Sequence, residues 1–348
     1  MLSKSERRFA HALCCLDVHW RQSSICVLDH RGRKLSTQTI RGGWSKVLEE
    51  LGKTKKPFAI CFEASSGYGY LFERLATIAR RVVVAHPGQL RLIFRSKRKN
   101  DRVDAEKLAK LLFLDEVPPV HVPSVEVRSW RSMIEHRRKL VAEQTRTKNG
   151  IRSLLRSQGI EAPRGLWTRR GLTWLASVQL ATELDTLQRD IMRERLESIA
   201  SMIQRVERVL NRKGTAHPGV QLLRTIPGVG PRTGEAVVAY IDRPDRFHSN
   251  KAIGCYFGLI PKQDASGRSN RLGHITREGP SVVRSLLVEA AWPGIRRCPQ
   301  IREVYERIMR DDKQRKKIAL VATAHYLLRA MLAMLQTGEV WRYSAEAA

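Results

Sequence analysis

Four carboxylates and one serine stand where chemistry on a phosphate could be done. Asp17 closes the apolar run Ala12-Leu-Cys-Cys-Leu-Asp17, and Glu63 closes a second, Phe58-Ala-Ile-Cys-Phe-Glu63. Asp101 and Asp104 lie in Lys99-Asn-Asp-Arg-Val-Asp-Ala-Glu, which reads as the start of a helix. Strand ends of one sheet can sit side by side, and residues three apart share a helix face near a terminus whose dipole favours negative charge. Hard oxygen donors of this kind suit Mg²⁺, and two such ions about 3.5–4 Å apart can clamp both oxygens of an in-line phosphoryl transfer. Taken singly, each residue has a plainer reading: Asp at a strand end is a common turn residue, and Asp101 could be a helix cap. Taken together the four are harder to dismiss. The chain carries 63 Lys+Arg against 34 Asp+Glu, a formal charge of +29, and acidic residues on a polyanion-binding surface repel the ligand unless a metal reverses the sign.

The serine is Ser266, in Ala265-Ser-Gly-Arg-Ser-Asn-Arg-Leu-Gly-His-Ile-Thr-Arg277. A serine hydroxyl is a poor nucleophile until its proton is removed or the phosphate is polarised. Arg268, Arg271 and Arg277, with His274, are close enough in sequence to stabilise charge on a phosphate under attack. On composition alone such a serine is an ordinary turn residue touching backbone phosphate. Upstream, Leu222-Leu-Arg-Thr-Ile-Pro-Gly-Val-Gly-Pro-Arg-Thr-Gly-Glu235 reads as a helix, a tight turn and a second helix. Gly228 and Gly230 would let a phosphate approach the backbone, with Arg232 beside it, as in a helix-hairpin-helix. The plainer alternative is a simple turn between two helices.

The elements that must position these residues follow from hydrophobic pattern. Up to about residue 93 the order is βββαβαβα: strands near 12–17, 24–29, 34–40, 58–63 and 82–85, helices near 44–51 and 70–80, and another after Pro87. This is the order of a ribonuclease-H-like α/β domain, taken to span 1–122. Strand signals then vanish. A basic helical pattern covers 141–155, and Leu184, Leu187, Ile191, Ile199, Ile203, Val206 and Leu210 form a heptad-like seam on a helix of roughly 30 residues. Region 123–213 is therefore expected to be a helical linker, either an internal hairpin or a dimerising coiled coil. Asn211 to Gly219 reads as a linker, and 214–348 as a mainly helical domain with loops at 261–279.

Composition narrows the class. The chain has 348 residues, 42% of them hydrophobic, and no low-complexity tract, which excludes wholesale disorder. The excess of positive charge makes a polyanion the default partner. Six scattered cysteines (14, 15, 26, 61, 255 and 298) without a Cys-x-x-Cys argue against a zinc ribbon or a disulfide scaffold and suit a reducing cytoplasm. A signal peptide is not expected, because the apolar stretch after Phe9 is interrupted by His11 and runs into Asp17. Ile318 to Leu335 is apolar enough to weigh as a membrane span, but His325 and Arg329 favour a buried helix.

The ordered set Leu16-Asp-Val18, Phe62-Glu-Ala-Ser-Ser-Gly67, Asn100-Asp-Arg-Val-Asp-Ala105, Ile226-Pro-Gly-Val-Gly230, Phe257-Gly-Leu-Ile-Pro261, Ala265-Ser-Gly267 and Gly273-His-Ile-Thr-Arg-Glu-Gly279 resembles the transposases of the insertion-sequence-110 family, the DEDD recombinases, over nearly the whole chain. The resemblance implies a RuvC-like first domain, a coiled-coil linker and a C-terminal transposase domain. It implies that Asp17, Glu63, Asp101 and Asp104 hold Mg²⁺ and that Ser266 is the nucleophile. It also implies target and donor DNA as substrates, a structured bridge RNA from the same element as guide, and dimers that pair into a tetramer in the bacterial cytoplasm. His19 and Trp20 after Asp17, and Thr276-Arg-Glu where Ser-Lys-Arg is commoner, depart from the pattern, and Ser269 is a rival nucleophile. Two other readings remain: a structure-selective metal nuclease resembling a junction resolvase, in which Ser266 is only structural, and a non-catalytic RNA-binding or architectural protein.

Overall fold

The computed structural model describes residues 12–54, 56–93, 101–266 and 269–342, with the side chains of 101, 102, 265, 266, 269 and 270 left aside. The chain divides into two compact units, Met1–Val125 and Glu126–Ala348.

The first unit is built on a mixed sheet. Its strands are β1 (Ala12–Val18), β2 (Gln22–Leu28), β3 (Lys34–Arg41), β4 (Phe58–Glu63) and β5 (Arg81–Ala85), in the spatial order β3-β2-β1-β4-β5. The first three form an antiparallel meander, and β4 and β5 add to β1 in parallel. The helices are α1 (Trp44–Gly52), α2 (Tyr68–Ala76), α3 (Pro87–Ile93) and α4 (Asp101–Leu114). The central strands are buried on both faces, which is why they read as continuous apolar runs. Leu13, Cys15, Cys26, Ala59, Cys61 and Val83 pack with Ala105, Leu108 and Leu112 of α4. Leu16, Ile25, Phe58, Ile60 and Phe62 pack on the other face with Val47, Leu51, Leu71 and Leu75 of α1 and α2. The β3 edge is polar and starts with Lys34, and the β5 edge is covered by residues 118–120, with Val120 N–H donating to Val84 O at 2.8 Å.

The second unit opens with two long helices, α5 (Val125–Ser157) and α7 (Glu183–Ala216), each roughly 50 Å long, with α6 (Arg169–Ser177) between them. Arg137 meets Glu207 at 2.8 Å, Arg195 meets Glu143 at 2.7 Å, and Gln158 meets Asp185 at 3.1 Å. The descending partner numbers make this an antiparallel hairpin within one chain. The expected seam is split by it: Ile199 and Leu210 are buried, whereas Leu184, Leu187 and Ile191 stay exposed.

The expected linker at 211–219 is corrected. Helix α7 continues to Ala216, its Gly214 packed against the Glu235 side chain, and ends at His217 before α8 (Pro218–Leu223). The remaining elements are α9 (Pro231–Ile241), α10 (Ala252–Tyr256), β6 (Pro261–Ser266), β7 (Ser269–Ile275), α11 (Ser281–Arg297), α12 (Pro299–Met309) and α13 (Lys316–Thr337). The expected boundary at 213/214 falls inside one core, since Trp130, Ile134 and Leu210 cluster with Val220, Val237, Leu287 and Leu328. Helix α13 is long and apolar enough to cross a membrane by length and composition alone. Its apolar face is covered in that same core: Ala324, Leu327, Leu328, Met331 and Leu332 are all buried.

Candidate active site

Asp17 and Glu63 are brought together by register. Leu16 pairs with Phe62 in the parallel ladder of β1 and β4, so the next residues, Asp17 and Glu63, are neighbours across adjacent strands. Side chains alternate along a strand, and both carboxylates share parity with Leu13, Cys15, Ala59 and Cys61, the face that α4 covers. The C-terminus of α4 is tied to the opposite end of the sheet. Phe113 lies over Gly32 in the β2–β3 turn, and Asp115 pairs with Arg81 at the start of β5 at 2.6 Å. The first turn of α4, Asp101 to Asp104, is therefore directed towards the end where β1 and β4 finish. The carboxylates of Asp17 and Glu63 thus belong to one end and one face of the sheet, the face that α4 covers.

Asp17 keeps company with His19, whose Nε2 is 3.6 Å from its carboxylate, and Lys107 is 3.5 Å from Asp104. Among the described residues no group of three or more His, Cys, Asp or Glu is arranged to hold a metal ion. The side chain of Asp101 lies outside the described residues.

Ser266 is in the other unit. Instead of the loop expected at 261–279, β6 and β7 form an antiparallel hairpin in which Ser266 pairs with Ser269 at the tip. The pattern hid these strands because most described hairpin residues, Lys262 and Asp264 among them, are exposed, and Ile275 meets the core only where β7 ends, so no apolar alternation marks a face. Gly267 and Arg268 lie outside the described residues, as do the side chains of Ser266 and Ser269. Arg271 and Arg277 are exposed, Arg271 paired in register with Asp264.

The base of the hairpin is held by a residue that sequence reasoning missed. Arg284 Nη1 donates to the carbonyl oxygens of Phe257, Glu278 and Gly279 at 3.0, 2.6 and 3.1 Å. Burial and the nearby Arg277 pull its guanidinium below the usual range, and the three carbonyls offset that cost. In a chain so rich in arginine, no sequence signal distinguished it.

The glycine turn is differently built from the phosphate cradle expected. Gly228 has φ +93°, and a Cβ there would come 2.5 Å from Gly294 N and 2.7 Å from Ala290 O of α11. Its freedom serves packing against α11. Arg232 is turned inward, its side chain 16% exposed, to Asn211 and to Glu235 Oε1 at 2.8 Å. Gly230 caps α9, and a Cβ there would meet only open space.

Comparison with known proteins meets this geometry at both ends. A family model described as "Transposase", built on the DEDD transposases of IS110, matches residues 14–159, and one described as "Transposase IS116/IS110/IS902 family" matches 220–306. Together they take in β1 and its Asp17, the carboxylates of β4 and α4, the glycine turn and the serine hairpin. The chain belongs to the IS110 family of transposases. Among its relatives are a Pseudomonas aeruginosa protein named "Probable family 20 transposase", 27% identical and aligned over 82% of this chain and 86% of its own. The transposase of insertion sequence element IS1111A from Coxiella burnetii is 25% identical over 77% of this chain and 73% of its own. A pilin gene-inverting protein of Moraxella lacunata is 27% identical over 42% and 46%. As an IS110-family transposase, the chain is a DNA-recombining enzyme.

Proposed function

We propose that this transposase cuts and rejoins DNA through Ser266, assisted by a divalent cation at Asp17, Glu63, Asp101 and Asp104. The observation that carries the metal half of this reading is the side-by-side register of Asp17 and Glu63 on the face over which α4 opens with two more carboxylates. Such oxygen donors fit Mg²⁺, which would polarise a scissile phosphate. The strand order β3-β2-β1-β4-β5 supports a ribonuclease-H-like, RuvC-like reading of the first unit.

The serine then does the covalent work. Its Oγ attacks phosphorus and loses its proton, the new O–P bond forms as the bond to one sugar oxygen breaks, and that oxygen leaves as a hydroxyl. The phosphoserine conserves the bond energy, so rejoining needs no nucleotide cofactor. The hairpin presents Ser266 at its tip, and Arg284 clamps its base. Arg271 and Arg277 are exposed nearby to meet phosphate charge; Arg268 is proposed on sequence alone.

The remaining parts of the proposal concern partners. The basic helices α5 and α7 would carry RNA and DNA backbones with strong salt dependence. An RNA from the same element would choose target and donor by base pairing, leaving the protein to read shape. The exposed stripe on α7 would join two copies, and dimers would pair into a tetramer. Domain limits of 1–122, 123–213 and 214–348 are kept as functional divisions, and the bacterial cytoplasm as the place of action.

Trapping on a denaturing gel tests the chemistry. With Mg²⁺, the element's flanking RNA and labelled DNA, wild type is expected to yield a protein–DNA adduct that Ser266→Ala and Asp17→Ala both lose. Cut ends that persist in Ser266→Ala would instead make the chain a metal nuclease.

A further inference from the structure

Beside the strand-end carboxylates the first unit carries an aromatic cluster in which Trp44 leans on the core while Trp20 and Tyr70 stand exposed. Trp20 lies in the β1–β2 turn, three residues past Asp17, and is 73% exposed. Its ring meets Trp44, at the start of α1, edge to face with centroids 5.3 Å apart. Trp44 in turn stacks on Tyr70 of α2, with centroids 6.2 Å apart and planes 23° from parallel, and Arg74 caps the Tyr70 ring at 5.4 Å. All three rings belong to the end of the sheet where β1 and β4 finish, because Tyr70 follows Glu63 by seven residues through the turn at Gly67. Gly67 has φ +78°, and any side chain there would collide with the Trp44 ring, so the turn is shaped to admit it. Trp44 also keeps its indole N–H buried without an acceptor, a cost that packing alone leaves uncompensated.

A tryptophan so exposed, backed by two further rings, is poorly placed as core. Cations stand at this end alongside the carboxylates of Asp17 and Glu63: Arg21 follows Trp20, Arg41 ends β3 opposite Gln22, and Lys46 and Arg74 stand on α1 and α2, all exposed. Flat aromatic faces among cations are how proteins hold single-stranded nucleic acid, the rings taking bases and the cations following the backbone. A paired base in a duplex hides its faces. An unpaired one offers them.

We propose that Trp20, backed by Trp44 and Tyr70, is a stacking platform for an unpaired DNA base beside the carboxylates. The base would belong to the strand being cut, held there so that its neighbouring phosphate reaches the metal-binding end of the sheet. This placement rests on the proposed function, whereas the stacking itself does not.

The test is therefore one of binding and needs no strand cutting. Full-length protein is titrated against a thymidine-rich single strand of about 15 nucleotides, the matching duplex, and the same sequence as RNA. Trp20→Ala is expected to weaken single-stranded DNA binding about tenfold and Trp20→Phe to keep it within about threefold, with duplex affinity unchanged in both. In Asp17→Asn, binding to the single strand is expected to persist. A strand carrying 5-iododeoxyuridine should photocrosslink to Trp20, located by mass spectrometry. Thermal melts matching wild type would show that the variants fold, as expected for so exposed a ring. Equal binding by Trp20→Ala and wild type would overturn the proposal, as would an equal loss on duplex. A loss confined to RNA would assign the platform to a guide strand and overturn it too. If the platform binds as expected but Ser266→Ala still cuts, the catalytic reading alone has failed.

Discussion

Glu235 illustrates what single residues contribute beyond the chemistry. It is fully buried beside Arg232, and burial pushes its carboxyl from 4.5 up to about 7 against the pull of that guanidinium. The folded state therefore holds this proton where the unfolded chain has released it. Stability from this group is complete below pH 4.5 and falls as pH rises to about 7, by on the order of 3 kcal/mol. Glu235→Gln should flatten the dependence, gaining on wild type between pH 5 and pH 8 in urea unfolding. An unchanged difference at both pH values would contradict this. The neighbouring strand-end carboxylates Asp17 and Glu63 were legible in the sequence because a charged residue ending an apolar run is visible one residue at a time. Arg232 and Glu235 were not, because three-residue spacing on a helix says nothing about which way the pair turns.

At the scale of elements, the first unit was legible almost strand by strand, since strands buried on both faces write continuous apolar runs into the sequence. The second unit was less so. Its β6–β7 hairpin has no buried face to leave a period, and the helix break expected at 211–219 comes only at His217, past a Gly214 that packs against Glu235 inside the helix. The glycine turn was recognised, but the packing of Gly228 on α11 was not, because a tight turn for phosphate and a tight turn for packing have the same sequence. Gly228→Ala should cost about 2–4 kcal/mol, from its left-handed backbone and the backbone of α11 behind it. Gly230→Ala, at φ −85° with open space beyond, should cost about 1 kcal/mol or less. Chemical denaturation compares the two directly, and equal costs would remove the packing explanation.

For the whole molecule, the main question is what covers the half of the α7 seam that the intrachain hairpin leaves open. Leu184 is 78% exposed, Leu187 57% and Ile191 55%, and their spacing puts them on one stripe. A helix partner from a second copy would bury it. Leu187→Glu with Ile191→Glu should lower the oligomeric state in sedimentation while helical circular dichroism is unchanged; a wild type that sediments as a monomer with and without nucleic acid would contradict it. Self-association belongs to the proposed function, in which Ser266 of one copy would act with the carboxylates of another. Mixing Ser266→Ala with Asp17→Ala in the presence of Mg²⁺, the flanking RNA and labelled target and donor DNA tests that and the central claim at once. Denatured and resolved on a gel, neither variant alone should show a protein–DNA adduct, and the mixture should restore one, joined to Ser266 of the chain that keeps it. Cut DNA ends released by Ser266→Ala alone, with no adduct in wild type, would contradict the account.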